Sequence, residues 1–289
     1  MKNIVEFIEE LKINVPESKK FLELSKIFPI NPKFPEKSNI NFDRGMLLYS
    51  LIAKLKPKNI LEIGTAEGYS TLCMAWGLSS EQISGKIFTI DPKSHYEKIS
   101  RSIKIGEKFV ELNCSRHDLW KKFAPPEWIN KINVITGYSE DVLDQIKTEI
   151  DFVYIDGSHS FENVKFDFFS SLKLVSNKFT ILFDDYIPDS NDGVKKLIDE
   201  EISKKFIPTY IITNTKQQRK EMNLIQQDLI MCLIDNSLTE KSIWEIYDKR
   251  YVDNFLKNHH LKHRRLIFRR KLEKKIPFLS KIRFRWWKK

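Results

Sequence analysis

The sequence predicts an α/β fold with a doubly wound, mostly parallel sheet of seven strands. Between residues 58 and 183, short apolar runs alternate with helical patterns, and the runs are apolar throughout rather than at every second position. Strands that are apolar at every position are typical of a parallel sheet covered by helices on both faces. Two further β-type runs follow with no helix required between them, which indicates a terminal antiparallel hairpin.

The elements follow in order along the chain. The runs predicted as strands are Ile60–Ile63, Ile87–Ile90, Ile132–Thr136, Phe152–Ile155, Phe179–Phe183, Tyr210–Thr213 and Asp228–Ile234. The helices predicted within the domain are Phe42–Leu55, Tyr69–Leu78, Ser94–Ile105, Asp141–Lys147, Phe161–Val175 and Gly193–Lys205. Two short amphipathic patterns precede them. We therefore predict a helical N-terminal cap (1–45), a central domain (46–235) and a basic C-terminal extension (236–289).

The charge of the chain is concentrated at one end. The whole sequence has 49 Lys and Arg against 39 Asp and Glu. Residues 257–289 contain fourteen of the basic residues and one acid, Glu273, whereas the other 256 residues have 35 basic and 38 acidic side chains. The positive net charge of the chain therefore comes from its tail, and the rest of the protein is slightly acidic.

The tail also contains apolar residues at helical spacing, and it ends in Trp286 and Trp287. A basic amphipathic helix of this kind favours docking at an anionic membrane surface. Nucleic acid is the rival partner, because basic and aromatic side chains also bind phosphates and bases. Packing against a second subunit, in a homo-oligomer, is the third alternative.

The remaining composition indicates a cytoplasmic protein. The N-terminal stretch has acids within its apolar part and no small-residue cleavage site, so no signal peptide is expected. No run of eighteen apolar residues occurs. Three widely separated cysteines, Cys73, Cys114 and Cys232, suggest buried thiols in a reducing compartment rather than disulfides. We therefore expect a cytoplasmic protein, with peripheral attachment to the inner membrane face through its tail.

The first strand–turn–helix unit carries a ligand-binding pattern. Gly64 and Gly68 stand between a predicted strand and a helix, where glycine permits a tight turn and close approach of a ligand to the backbone. Asp91 ends the next strand, where an acid can bind the hydroxyl groups of a ribose. The alternative is a simple glycine turn with a helix-capping aspartate.

These residues resemble the class I S-adenosylmethionine-dependent methyltransferases, whose first motif stands here as Glu62-Ile-Gly64-Thr-Ala-Glu-Gly68. The continuation Gly68-Tyr69-Ser70 resembles the catechol-type O-methyltransferases. The resemblance implies a Rossmann-like fold, with Glu62 and Gly64 at the methionine part of the cofactor and Asp91 at the ribose. It places Gly137 and Ser139 beside the adenine. The residues that it assigns to the cofactor are Glu62, Gly64, Thr65, Gly68, Tyr69, Ser70, Asp91, Gly137, Ser139 and Asp156.

Acidic residues follow two neighbouring predicted strands. Asp156 comes after one apolar run, and Asp184 and Asp185 come after the next. Since the ends of adjacent strands are about 4.8 Å apart, the three carboxylates should converge and would repel each other unless a cation or protons compensate. Oxygen ligands favour Mg²⁺, or Mn²⁺. His159, three residues after Asp156, could remove a hydroxyl proton at neutral pH. The alternative is that Asp156, Ser158 and Ser160 cap the following helix and that the histidine is an exposed loop residue.

The stretch Asp156-Gly157-Ser158-His159, followed by Asp184-Asp185, resembles the metal-dependent O-methyltransferases. The catechol type has a lysine base where His159 stands, and the macrolide-sugar type has histidine. The resemblance implies metal ligation by Asp156, Asp184 and Asp185, with His159 as general base. It covers roughly residues 46–235.

We therefore expect an O-methyltransferase acting on a hydroxyl of a small molecule, sugar or glycan. Two alternatives remain: an RNA methyltransferase that uses the tail as a substrate arm, and a non-catalytic scaffold that binds cofactor. The aromatic segment His117–Asn130 could form a lid over the cleft or an accessory helix that buries its rings.

Overall fold

A computed structural model of the chain describes residues 1–29, 42–187, 193–205, 209–214, 229–236 and 241–275. Most of the predicted polar connection 214–227, and the tail beyond residue 275 with its tryptophan pair, lie outside these ranges. The chain forms two compact units, Met1–Ile243 and Trp244–Lys289. The residues predicted as an N-terminal cap are part of the first unit, in which Ile4, Phe7 and Ile8 share a core with the helix Phe42–Leu55.

The first unit is built on an eight-stranded sheet. Its strands are β1 (Lys2–Asn3), β2 (Asn59–Ile63), β3 (Lys86–Asp91), β6 (Ile132–Thr136), β7 (Ile150–Ile155), β8 (Val175–Phe183), β9 (Thr209–Thr213) and β10 (Ile230–Asp235). They lie side by side in the order β1-β9-β10-β8-β7-β2-β3-β6. A separate two-stranded sheet pairs β4 (Ile99–Ile105) with β5 (Lys108–Cys114).

The central strands of the large sheet are parallel, and the chain winds outward from β2 in both directions. β2 pairs in parallel with β3 on one side and with β7 on the other. β10 is antiparallel to both β8 and β9, which confirms the predicted terminal hairpin. The doubly wound, mostly parallel fold class is therefore confirmed. The eighth strand, absent from the prediction, is a two-residue edge strand from the chain start that pairs with β9.

The helices of the first unit are α1 (Ile4–Glu10), α2 (Ser18–Ile27), α3 (Phe42–Leu55), α4 (Tyr69–Ser80), α5 (Arg116–Phe123), α6 (Pro126–Ile129), α7 (Ser139–Val142), α8 (Phe161–Leu172) and α9 (Gly193–Leu197). The short helix α10 (Ile243–Ile246) begins at the last residue of the first unit. A π-helical turn, Ile198–Ile202, continues α9. The order of strands leaves a switch point between β2 and β7, and ligands of doubly wound sheets bind at the carboxyl ends of strands at such a point.

One predicted element is wrong. The stretch Ser94–Ile105 was expected to be a helix, but its second half is β4, which forms a hairpin with β5. Gly106, with φ +59°, makes the turn. The side chains of Ile99, Arg101, Ile103 and Ile105 alternate in the manner of a strand, and tertiary packing of Ile103 in the core selects that period over the helical one.

The aromatic segment predicted as a lid or an accessory helix is part of the core. Trp120 on α5 is 1% exposed. Trp128 on α6 stacks on Trp76 of α4, with ring centroids 5.1 Å apart. These rings are packed against the body of the domain, so the structure favours the accessory helix.

The second unit contains one long helix, α11 (Lys249–Lys275). Within the described residues, no helix combines the length and the apolar character that crossing a membrane requires.

Candidate functional site

Two loops meet at the switch point of the sheet. The backbone N–H of Asp156, at the end of β7, donates to the carbonyl of Ile63 at the end of β2 over 2.8 Å. Gly64 follows with φ +101°, and a Cβ at this position would overlap the carbonyl oxygen of Asp156. The turn therefore needs glycine for two reasons, its left-handed backbone and this close approach. The predicted cofactor loop and the predicted acidic site thus share a direct backbone contact.

Glu62 is fully buried beneath this turn. Its Oε2 accepts hydrogen bonds from the hydroxyls of Thr71 and Thr89, each at 2.5 Å. The Thr65 hydroxyl lies 2.5 Å from that of Thr89, which extends the network. Burial raises the pKa of Glu62 to about 7. Within the described residues Oε1 has no hydrogen-bond partner, so a cationic or N–H group of a ligand would satisfy a carboxylate oxygen that is otherwise orphaned.

Asp91 organises the neighbouring strand ends. Its two carboxylate oxygens accept from the backbone N–H groups of Ala66, at 2.9 Å, and Lys93, at 2.7 Å. Its own carbonyl accepts from the N–H of Gly137 at 3.0 Å. Arg116 lies 3.7 Å from the carboxylate and also donates to the carbonyl of Ala66. Asp91 therefore fixes the Gly64–Gly68 turn, and its carboxylate oxygens retain lone pairs for further donors.

The other residues predicted to bind the cofactor are a glycine at the start of α4 and three residues with hydroxyl groups. A Cβ at Gly68 would overlap the ring of Trp120, so this glycine is required where α4 begins. Tyr69 and Ser139 have partners within the protein. The Tyr69 hydroxyl lies 3.2 Å from the carbonyl of Phe42, and the Ser139 hydroxyl donates to Asp167 over 2.6 Å. Ser70 is buried on α4.

The structure brings His159 and two of the predicted acids together. Ligand atoms of Asp156, His159 and Asp185 all lie within 4.8 Å of one another. The Nε2 atom of His159 is 3.3 Å from Oδ2 of Asp185, and the imidazole side chain is 42% exposed. Asp185 adopts φ +55°, a left-handed conformation unusual for a residue with a side chain. This cluster is accessible and could hold a divalent cation or bind a hydroxyl group.

Asp184, the third predicted ligand, is not in this group. Its side chain is 1% exposed and its Oδ2 lies 2.7 Å from Nη2 of Arg44 on α3. The Tyr154 hydroxyl also donates to Oδ2 over 2.8 Å, and the N–H of Asp185 donates to Oδ1 over 2.9 Å. The carboxylate of Asp184 is therefore engaged in a buried ion pair behind the cluster.

Arg44 changes the electrostatics expected from the sequence. Its Nη1 is 3.7 Å from Asp156, so one buried guanidinium faces two of the three carboxylates. Burial and the negative charge of Asp184 nevertheless raise the pKa of Asp156 well above its usual range, and Arg44 opposes this only in part. Compensating charge was expected from a metal ion or from protons. The protein itself supplies part of it, so the clustering of acids alone does not require a metal.

Sequence reasoning missed Arg44 and Tyr154. Tyr154 lies inside an apolar strand and looks like a core residue. Arg44 stands in the first turn of a helix whose residues are mostly apolar, and a charged residue on a buried face needs a partner of opposite charge. That signal was present, but it did not say which acid, more than a hundred residues away, would be the partner.

Comparison with known proteins agrees with this geometry. Residues 61–186 match the family model Methyltransf_24, a methyltransferase domain. The fold is similar to that of an O-methyltransferase from Bacillus cereus in complex with S-adenosylhomocysteine, with a TM-score of 0.53, 19% identity, and coverage of 78% of this chain and 94% of that one. It is also similar to the O-methyltransferase TomG from Streptomyces achromogenes, involved in tomaymycin synthesis and in complex with S-adenosylmethionine, with a TM-score of 0.53, 17% identity, and coverage of 81% and 96%.

A curated relative, the uncharacterized protein y4gI of Sinorhizobium fredii, is 23% identical over 136 residues, which are 47% of this chain and 14% of that protein. The chain therefore matches only about one seventh of that relative. Strand order and the glycine turn agree with a Rossmann-like methyltransferase fold, and the family match covers residues 61–186, somewhat less than half of the chain. The resemblance of the sequence motifs to S-adenosylmethionine-dependent methyltransferases is confirmed.

Proposed function

We propose that the protein is an S-adenosylmethionine-dependent O-methyltransferase that acts on a hydroxyl group. The observation that supports it best is the cluster of Asp156, His159 and Asp185 at the switch point, in backbone contact with the Gly64 turn. Glu62, with an orphaned buried oxygen, and Gly64, whose turn has no room for a side chain, fit the cofactor. When bound, the cofactor supplies an electrophilic methyl group beside this cluster.

His159 is the general base in this proposal. The carboxylate of Asp185, 3.3 Å from Nε2, can orient the imidazole and stabilise it once it is protonated. The ring is exposed enough to meet an acceptor hydroxyl, and because Nε2 faces Asp185, Nδ1 is the atom that takes the hydroxyl proton. Asp184 and Arg44 do not contact the acceptor in this scheme. They hold Asp156 and the end of β8 in place.

A divalent cation, Mg²⁺ or Mn²⁺, fits Asp156 and Asp185 as oxygen donors. The sequence-based ligand set included Asp184, whose side chain is only 1% exposed and whose Oδ2 lies 2.7 Å from Arg44, whereas the side chain of Asp156 is 21% exposed and lies farther from Arg44, at 3.7 Å. We therefore propose the ligand pair Asp156 and Asp185 rather than all three acids. A bound cation would lower the pKa of the acceptor hydroxyl.

The proposed acceptor is a sugar or glycan hydroxyl. It rests on the resemblance of Asp156-Gly-Ser-His159 to the macrolide-sugar O-methyltransferases, which have histidine where the catechol type has lysine. Methylation of glycosides in preference to catechols would support this choice, and the opposite preference would contradict it.

Methyl transfer from labelled S-adenosylmethionine to a panel of glycosides, catechols and RNA tests the proposal. His159→Ala should lower the rate about 10²–10⁴-fold, as removal of a general base does, with little change in cofactor affinity measured by calorimetry. His260→Ala removes a half-buried imidazole from α11 and is the control. Loss of activity upon EDTA treatment, restored by Mg²⁺, would support the cation. Activity unaffected by both EDTA and His159→Ala would refute the mechanism, and methylation of RNA alone would refute the acceptor class.

A further inference from the structure

The second unit carries a surface feature that methyl transfer does not use. Helix α11 has 27 residues, about 40 Å of helix, and contains eleven Lys and Arg against two acids. One of those acids, Glu273, is paired with Arg269 at 2.7 Å. Most of the positive charge therefore has no acidic counterpart along this helix, which makes its surface strongly cationic.

Apolar side chains are exposed among these bases. Leu261 is 45% exposed and Phe268 is 58% exposed. Leu272 is half-buried. Residues seven and eleven positions apart fall on the same side of an α-helix, so the three form one stripe along α11. Arg264 and Arg265, both exposed, lie one turn before Phe268 and flank the stripe on its two sides. The helix thus presents an apolar line bordered by guanidinium groups.

We propose that this face of α11, defined by Leu261, Phe268 and Leu272 with Arg264 and Arg265, docks on an anionic lipid bilayer. Exposed leucine and phenylalanine gain from burial at the acyl boundary, while the flanking bases face lipid phosphates. RNA would be attracted by the same charges, but Phe268 is the one aromatic ring of this stripe, and its two leucines offer RNA neither stacking nor hydrogen bonds. The combination of charge and apolar stripe therefore favours a membrane surface. The inference is independent of the catalytic proposal.

Co-sedimentation of the full chain with lipid vesicles tests the inference. Binding should be strong to phosphatidylcholine vesicles that contain about one third phosphatidylserine, and weak to pure phosphatidylcholine. Leu261→Ser combined with Phe268→Ser should weaken binding at least about tenfold, because two buried apolar contacts are lost. Leu266→Ser is the matched control. Leu266 is 44% exposed on the same helix but two positions from Phe268, hence on the opposite side, and its loss should change binding little.

The charge requirement is tested separately. Arg264→Glu with Arg265→Glu should remove the preference for anionic over neutral vesicles, and circular dichroism should show unchanged helix content. Equal binding of the unaltered chain to neutral and anionic vesicles would overturn the proposal. It would also be overturned if Leu266→Ser weakened vesicle binding as much as Leu261→Ser combined with Phe268→Ser. The proposal would also be overturned if the chain retained oligouridine RNA but bound anionic vesicles no better than neutral ones. That result would favour a nucleic-acid arm.

Discussion

The ion pair of Arg44 and Asp184 leads to a prediction that the structure makes quantitative. Arg44→Met keeps most of the aliphatic stem and removes the guanidinium. Among the described residues, the carboxylate of Asp184, 1% exposed, would then keep the hydroxyl of Tyr154 and the N–H of Asp185 as its partners. An acid that remains buried without its counter-charge destabilises the folded state.

The magnitude follows from burial. Removing one partner of a buried ion pair costs about 3–5 kcal/mol, whereas an exposed pair contributes only about 0–1 kcal/mol. Arg44 and Asp184 have side chains 10% and 1% exposed, so the buried case applies. Because two hydrogen bonds to Asp184 persist, we expect the lower end, about 3 kcal/mol. In urea this is a shift of the unfolding midpoint on the order of 1 M.

Urea unfolding of a double-mutant cycle gives the decisive measurement. In the background Asp184→Asn the neutral amide needs no counter-charge, so Arg44→Met should cost at least about 2 kcal/mol less than in the wild type. The matched control is Lys56→Met, directly after the end of the same helix, whose pair with Glu81 is largely exposed and should contribute less than about 1 kcal/mol. If Arg44→Met costs the same in both backgrounds, within about 0.5 kcal/mol, the ion pair does not carry the stability assigned to it.

Two further predictions concern the turn and a buried acid. Gly64→Ala should abolish binding of S-adenosylmethionine in calorimetry, because its Cβ would overlap a backbone carbonyl. Gly106→Ala, at a position with φ +59° and open space around it, should cost only about 1–2 kcal/mol of stability. Equal effects of the two substitutions on binding would contradict the overlap. Burial raises the pKa of Asp167 to about 8, so the folded chain holds an extra proton between about pH 4 and 8 and its stability falls as the pH rises through that window. Asp167→Asn should flatten this part of the pH profile of the unfolding free energy, and an unchanged slope would show that the acid is ionised in the folded state.

Much of the sheet could be predicted from the sequence because its strands are buried on both faces. The apolar run Phe152–Ile155 leaves no amphipathic alternative, and the strand observed is Ile150–Ile155. The stretch Ser94–Ile105 shows where this reasoning fails. Ile99 and Ile103 are four residues apart and satisfy a helical period as well as an alternating one, so local pattern alone does not decide between them. Gly106, which makes the turn between β4 and β5, indicates a hairpin more directly than the spacing of the isoleucines does.

The candidate site was predictable only in part, because the local sequence does not show which of the acids face the cleft. Asp156 and Asp185 follow strands whose ends must be neighbours, so topology brings them together. Asp184 follows the same strand, yet successive side chains point to opposite faces, and it turns inward to Arg44. Which of two adjacent acids faces the cleft depends on a cation on another helix, and this pairing is a property of the tertiary structure.

The contact between Gly64 and Asp156 has a consequence for how acceptor preference can change. The two loops are joined through main-chain atoms, so the spacing between the cofactor turn and the acidic cluster does not depend on any side chain that substitution could shorten or lengthen. A new acceptor can therefore be accommodated only by remodelling the walls around this junction. Under the proposed function, variation among homologous chains should accordingly concentrate in the segments that surround the junction, while the spacing between the cofactor turn and the acidic cluster is preserved.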